Sequence, residues 1–368
     1  MKRFKYADEL ISEREIMIAI PSFVIGVGVL TFSKDMAAVT IAADGWIPIL
    51  IGGIIAIMIT WIVAKLASSF PNQTFLSYAS CIVTKPVALV LTFLFAVIAS
   101  QLAVLQIREI ADISKQYIFD RTPVEVIALT FLLVVVYAVA GSRVGLLRLN
   151  MMFFPIILVI SLLVIVFSLN RFEWNHLFPM LETDFTGYMK GLRSAIFSYV
   201  GFGILWFYTV LVKKPKKVPK KAVIGMCIPV GLYLFIYVSI IGVFGNAVTS
   251  NLLFPTIELA KGVEIPGEIF ERFESVFFTI WIMAIFNTTA MALDICVFAL
   301  NSIFKNVQKY KILFVLSPLV YANAMYPQDL IEVYTYGTIV GYITFGYTVF
   351  VALLLLVVGK LRGVKPIG

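Results

Sequence analysis

Two glycine pairs are the residues best placed to do chemistry in this 368-residue chain. Gly26 and Gly28 lie in the stretch IPSFVIGVGVL (20–30), and Gly201 and Gly203 in SYVGFGILWF (198–207). Each pair interrupts an apolar run that otherwise reads as helix. An interruption there frees backbone N–H and C=O groups that lipid cannot satisfy, so protein, water or a ligand must do so. Glycine permits the unusual dihedrals and lets a ligand approach the backbone. The helix resuming after Gly28 offers an N-terminus with free N–H groups, which suits a carboxylate. Carbonyls ending the half-helices near Ile25 and Val200 suit an ammonium. A site with both ends fits an amino acid zwitterion. Either pair alone is also what close packing of membrane helices would use. Their matched placement, 175 positions apart, favours the site.

Other chemistries find little support. His176 is the single histidine, stands in a polar connector and has no ligand-spaced neighbour, so neither a metal centre nor a nucleophilic triad is indicated. Cys81, Cys227 and Cys296 show no paired spacing and read as small core residues. No glycine loop of the phosphate-cradling kind is present. The chain therefore offers no catalytic residue, no metal site and no cofactor site, and an enzyme is not expected. Asp294 is the one acid well inside an apolar run. Such a group is a proton or cation relay, or a structural anchor paired with Arg148 or Lys305.

The elements that must position these residues follow from composition. Hydrophobic residues make up 61% and charged residues 14%, with a mean hydropathy of +0.99. A soluble domain carries nearly twice that charge. Ten charge-poor runs are long enough to cross a bilayer: 16–33, 46–64, 86–107, 126–142, 149–170, 194–212, 222–246, 275–293, 312–328 and 333–359. They are too long and too continuously apolar for barrel strands. The expected fold is an all-α polytopic membrane protein of ten transmembrane helices, one integral membrane domain over 1–368. Alternate connectors and both termini hold 20 of the 29 basic residues, and the others hold 16 of the 21 acids. Both termini are thus expected in the cytoplasm. The run KKPKKVPKK (213–221) reads as a topology signal touching anionic lipid, so the net charge of +8 does not imply nucleic acid. The N-terminus lacks a cleavage site, and no processing is expected. Ten spans divide into two fives of opposite orientation, a 5+5 inverted repeat of about 14–170 and 191–360. Broken helices one and six then mark a mid-membrane site.

The residues IGVGVL (25–30), RLN (148–150), FPTIELAKGVEIP (254–266) and ERFES (271–275), with Trp281, resemble the endospore germination protein family. These are the B subunits of nutrient germinant receptors, within the amino acid/polyamine/organocation superfamily. The resemblance covers essentially the whole chain. It departs at Thr31–Asp35, where the family often has proline soon after the first glycine motif. It implies a LeuT/APC-like fold of two intertwined five-helix repeats, residence in the spore inner membrane, and A- and C-type partner subunits. By analogy with that fold, spans three, eight and ten complete the pocket around the glycines. The site expected is Gly26, Gly28, Val97, Ile98, Gly201, Phe202, Gly203, Asn287, Thr288, Tyr342 and Phe345, with Asp294 and Arg148 as coupling residues. For Val97, Ile98 and Phe202 ordinary core packing competes with ligand contact. For the polar run Asn287–Thr288–Thr289 a hydrogen bond to a carbonyl or another helix competes. The segment 254–273 reads as a short helix, a break at IPG and a second helix packed over the outer mouth, suited to a lid. The function implied is binding of a small-molecule germinant, a small amino acid, and signalling to partner subunits. A proton-coupled amino acid permease is the alternative. A pure scaffold would not need unwound backbone.

Overall fold

The computed structural model describes residues 10–26, 28–263 and 273–363. Fourteen helices follow one another among these residues: α1 Glu13–Val24, α2 Gly28–Ala37, α3 Trp46–Ser68, α4 Phe75–Ile82, α5 Lys85–Tyr117, α6 Val124–Ala140, α7 Arg143–Ser168, α8 Phe185–Ser198, α9 Leu205–Tyr208, α10 Val218–Thr249, α11 Pro255–Lys261, α12 Phe273–Ile303, α13 Lys309–Ala324 and α14 Leu330–Leu361. Short 3₁₀ turns join some of them. Among the described residues the sole bridge of β type pairs Ile11 with Val212.

Among the described residues seven helical segments are long and apolar enough to cross a membrane. An eighth is the α1/α2 pair, whose axis turns by 53° at the glycine break. The remaining two expected runs form α6, of 17 residues, and α13, of 16, both short for a span. The all-helical class stands, with a broken first span. The second break is also visible: α8 ends at Ser198, and Gly201 to Ile204 passes through a 3₁₀ turn before α9.

Packing is close because small residues face neighbouring helices. A Cβ on Gly225 of α10 would lie 2.4 Å from the Met17 carbonyl of α1. One on Gly53 of α3 would lie 2.6 Å from Val230 of α10. Such approaches bring α1, α3 and α10 together around buried Tyr233, whose hydroxyl donates to the Val24 carbonyl at 3.0 Å. Aromatic rings of Phe75, Tyr78, Phe95, Trp206 and Phe207 fill the space between α4, α5 and α9.

The two ends of the bundle are tied differently. At the basic end, the Ile11 N–H donates to the Leu211 carbonyl and the Lys213 N–H to the Ile11 carbonyl, and Glu15 stands 3.6 Å from Arg148. The Arg362 guanidinium donates to the Val83 carbonyl. At the acidic end, buried Asp44 accepts the N–H groups of Leu181, Glu182 and Thr183 at 2.6–2.9 Å, and the Thr183 hydroxyl at 2.8 Å. Burial alone would push the Asp44 carboxyl up, but these hydrogen bonds outweigh it and hold the carboxyl below its ordinary value. The helix α11 docks on α2 and α5: the Thr256 hydroxyl donates to the Val29 carbonyl at 2.8 Å, and the Tyr117 hydroxyl to Glu258 at 2.9 Å. The rest of the expected helix-break-helix, from 264 to 272, lies outside the described residues.

Candidate ligand site at the helix break

The backbone of the first break is held by side chains from other helices. The Thr288 hydroxyl lies 3.2 Å from both the Ser22 and Phe23 carbonyls and 3.3 Å from that of Ala284 in its own helix. Its single proton is shared among them. Tyr233 takes the Val24 carbonyl. The last carbonyls of α1, which have no partner within the helix, are thus satisfied from α12 and α10. Gly26 fits because a Cβ would lie 2.8 Å from Gln106 Oε1 and 3.0 Å from Thr288 Oγ1. Gly28 differs, since a Cβ there would meet nothing within 4 Å.

The open space beside Gly28 is a cavity of about 330 Å³. Its inner end is made by Phe23, Gly26, Val200 and Thr288, and its outer end by Asp35, Glu109, Tyr334 and Thr338. Pockets for small ligands start at about this size. Below it is a void of about 30 Å³ lined by Gly201, Gly203, Ile98 and Thr344. Phe23, Leu102 and Val200 line both spaces and form the partition between them. The two breaks touch: a Cβ on Gly201 would lie 2.4 Å from Val24 Cγ2. Gly203 is less constrained, with Thr348 Oγ1 at 3.4 Å.

Of the expected site residues, Gly26, Gly28, Thr288 and Tyr342 line the main cavity, and Ile98, Gly201 and Gly203 the lower void. Phe202 is buried with its ring edge-on to Phe345, 6.2 Å between centroids, and neither lines the main cavity or the lower void. Val97 is 38% exposed on the outer surface of α5, as a lipid-facing residue would be. Asn287 is fully buried, with neither amide atom hydrogen-bonded among the described residues, and lies off the cavity wall. Asp294 sits at the basic end, where it accepts from Arg143 Nε at 2.7 Å and from the Tyr208 hydroxyl at 3.1 Å, with Lys309 Nζ at 3.5 Å. The expected pairing of Asp294 with Arg148 or Lys305 is therefore corrected to Arg143 and Lys309. Five residues separate Arg143 from Arg148, which turns Arg148 about 140° around α7, toward Glu15 on α1.

Residues not expected in the site complete the wall, two of them acids just beyond the charge-free runs. Gln106, Glu109, Asp35, Thr31 and Tyr334 all face the cavity. The runs ended at Ile107 and Ser33, just short of these acids, yet α5 continues to Tyr117 and α2 to Ala37. The signal available was helical spacing: Gln106 and Glu109 are three apart and share a face.

The profile of the spore germination protein family matches residues 10–333. The chain belongs to the spore germination protein family. It is 39% identical to spore germination protein GerLB of Bacillus cereus over 364 residues, 98% of this chain and 97% of that one. With spore germination protein YndE of Bacillus subtilis (strain 168) it shares 29% identity, over 96% and 97% of the two chains. Among solved structures it resembles MhsT in complex with L-phenylalanine, with a TM-score of 0.70 at 15% identity, covering 97% of this chain and 90% of that one. It also resembles Mhp1, a nucleobase-cation-symport-1 family transporter with bromovinylhydantoin bound, with a TM-score of 0.58 at 14% identity, over 98% and 78%. These likenesses identify a LeuT/APC-like transporter fold. In that fold this member of the spore germination family carries its cavity at the first helix break.

Proposed function

We propose that this chain is the B subunit of a nutrient germinant receptor, which binds a germinant of the amino acid class in the cavity at the α1/α2 break and reports occupancy to A- and C-type partner subunits. The observation that carries the reading is the cavity itself, which converges on Gly26 and Gly28 and meets the N-terminal end of α2. Free N–H groups there take the ligand carboxylate, and the unwound end of α1 takes its ammonium. Family membership supports the germination role, and the likeness to a transporter holding L-phenylalanine supports the amino acid class. In this reading the chain spans the spore inner membrane ten times as a 5+5 inverted repeat, with α6 and α13 as its two short spans and both termini in the cytoplasm. Asp294, tied to Arg143, Lys309 and Tyr208 and not on the cavity wall, serves coupling or assembly together with Arg148, which pairs with Glu15.

The test is equilibrium binding of a panel of amino acids to the purified chain in nanodiscs, with Gly28→Leu as the variant that fills the cavity. Binding by the wild type that is lost in a stably folded Gly28→Leu is expected. Equal binding by both would remove the cavity from the reading. Uptake of the bound compound by liposomes holding the chain alone would turn the receptor into a permease.

A further inference from the structure

The cavity at the helix break is lined by acids without a basic residue to balance them. Its wall carries two carboxylates, Asp35 and Glu109, and among the described lining residues no lysine or arginine. Asp35 accepts a hydrogen bond from the Tyr334 hydroxyl at 3.0 Å. Glu109, partly buried, makes no hydrogen bond or ion pair with a described residue. Its neighbour Arg108 is committed to Asp112 at 2.9 Å. A carboxyl in a low-dielectric wall without a partner favours its neutral form, and a cation entering the cavity favours the ionised one, so the wall selects for a cationic group.

The placement of Glu109 says where that cation sits. Gln106 abuts Gly26 at the break, and Glu109 follows it by three residues, roughly 4.5 Å farther along α5 toward the acidic end. Asp35 stands seven residues beyond Gly28, roughly 10 Å along α2. Resting on the assignment of this cavity as the ligand site, we propose that its ligand is a basic α-amino acid. The α-carboxylate and α-ammonium lie at the helix break, and the side-chain cation reaches Glu109, with Asp35 adding to the field at the mouth. The gap is about one helical turn, which an unbranched chain of three or four methylenes spans. Thr31, Thr338 and Tyr342 offer the neutral polar contacts along the way.

The experiment compares binding of L-lysine and of L-norleucine, a neutral analogue of similar length, to the full chain in nanodiscs. Lysine should bind at least tenfold more tightly, a difference of about 1.4 kcal/mol. Glu109→Gln should weaken lysine at least tenfold and leave norleucine unchanged. Norleucine binding as well as lysine in the wild type overturns the inference while leaving an amino acid site in place, and that comparison needs no variant to fold. Lysine affinity unmoved by Glu109→Gln overturns it too, as does binding of L-alanine without binding of lysine. If none of these amino acids binds, the assignment of the cavity as a ligand site falls first.

Discussion

Four glycines that look equivalent along the chain do different work at the break. Gly28 borders open cavity, Gly26 is pressed by Gln106 and Thr288, Gly201 by Val24, and Gly203 has ordinary contacts. Overpacking a tight site costs about 1–3 kcal/mol. Gly201→Ala should therefore lower the thermal unfolding temperature of the purified chain by several degrees, because Val24 and the backbone behind it must move. Gly28→Ala should unfold as the wild type does and change only the dose response to germinant. If Gly28→Ala proves as damaging as Gly201→Ala, the space beside Gly28 is not real. Thr288 allows a second comparison. Thr288→Val keeps the shape and removes the hydroxyl shared by the Ser22 and Phe23 carbonyls. It should cost on the order of 1 kcal/mol, since hydrogen bonds between membrane helices are individually modest. Thr288→Ser should recover most of that loss, a pattern that simple loss of volume would not give.

Between elements, the clearest fastening is Asp44, which gathers three successive N–H groups of the segment before α8 and so joins the connector after α2 to the second half of the chain. The carboxyl titrates below its ordinary value when folded. A group depressed in this way stabilises the fold fully above its unfolded pKa, near 3.8, and the contribution is lost as pH falls through the lower folded value. Asp44→Asn places an amide NH₂ against donors and should cost on the order of 2 kcal/mol at neutral pH. Thermal unfolding of both proteins from pH 7 to pH 3 measures this. The gap should hold down to about pH 4 and narrow below it, whereas a constant gap would mean that charge has no part. Along the sequence Asp44 is one acid among several in the connectors. Its partners at 181–183 are 137 or more positions away, and nothing in a single sequence announces a contact of that range. The broken first span was legible because Pro21, Gly26 and Gly28 disturb an apolar period locally. The full reach of α5 was not, because a rule based on charge-free runs stops at Arg108, while the helix carries its polar residues inward to the cavity.

For the molecule as a whole, the distribution of charge and the distribution of fastenings agree. The ends of α4, α7, α12 and α13 meet where the basic residues lie, and Asp294 is held there by Arg143, Lys309 and Tyr208. The connectors after α2 and α7 meet the last turns of α10 at the other end, around Asp44 and Asn246. The basic end is thus fastened by a buried ion-pair cluster and the acidic end by hydrogen bonds to Asp44 and from Asn246. Removing one partner of a buried ion pair leaves the other charges uncompensated. Asp294→Asn should weaken that tie while leaving ligand affinity at the distant cavity close to wild type, even where germination falls. A large loss of affinity in folded protein would place Asp294 in the site. The same separation of ends gives an orientation that chemistry can read. Native Cys81 is exposed on α4, at the basic end, and Cys296 is buried. An impermeant maleimide applied to intact cells should leave Cys81 unlabelled until the membrane is opened. A cysteine at Asn251 or Thr122, in the acidic-end connectors, should label at once in a chain stripped of its own cysteines. Labelling of Cys81 and of Asn251→Cys from the same side would break the topology, because an odd number of crossings, α5, α6, α7, the α8–α9 span and α10, separates them in it.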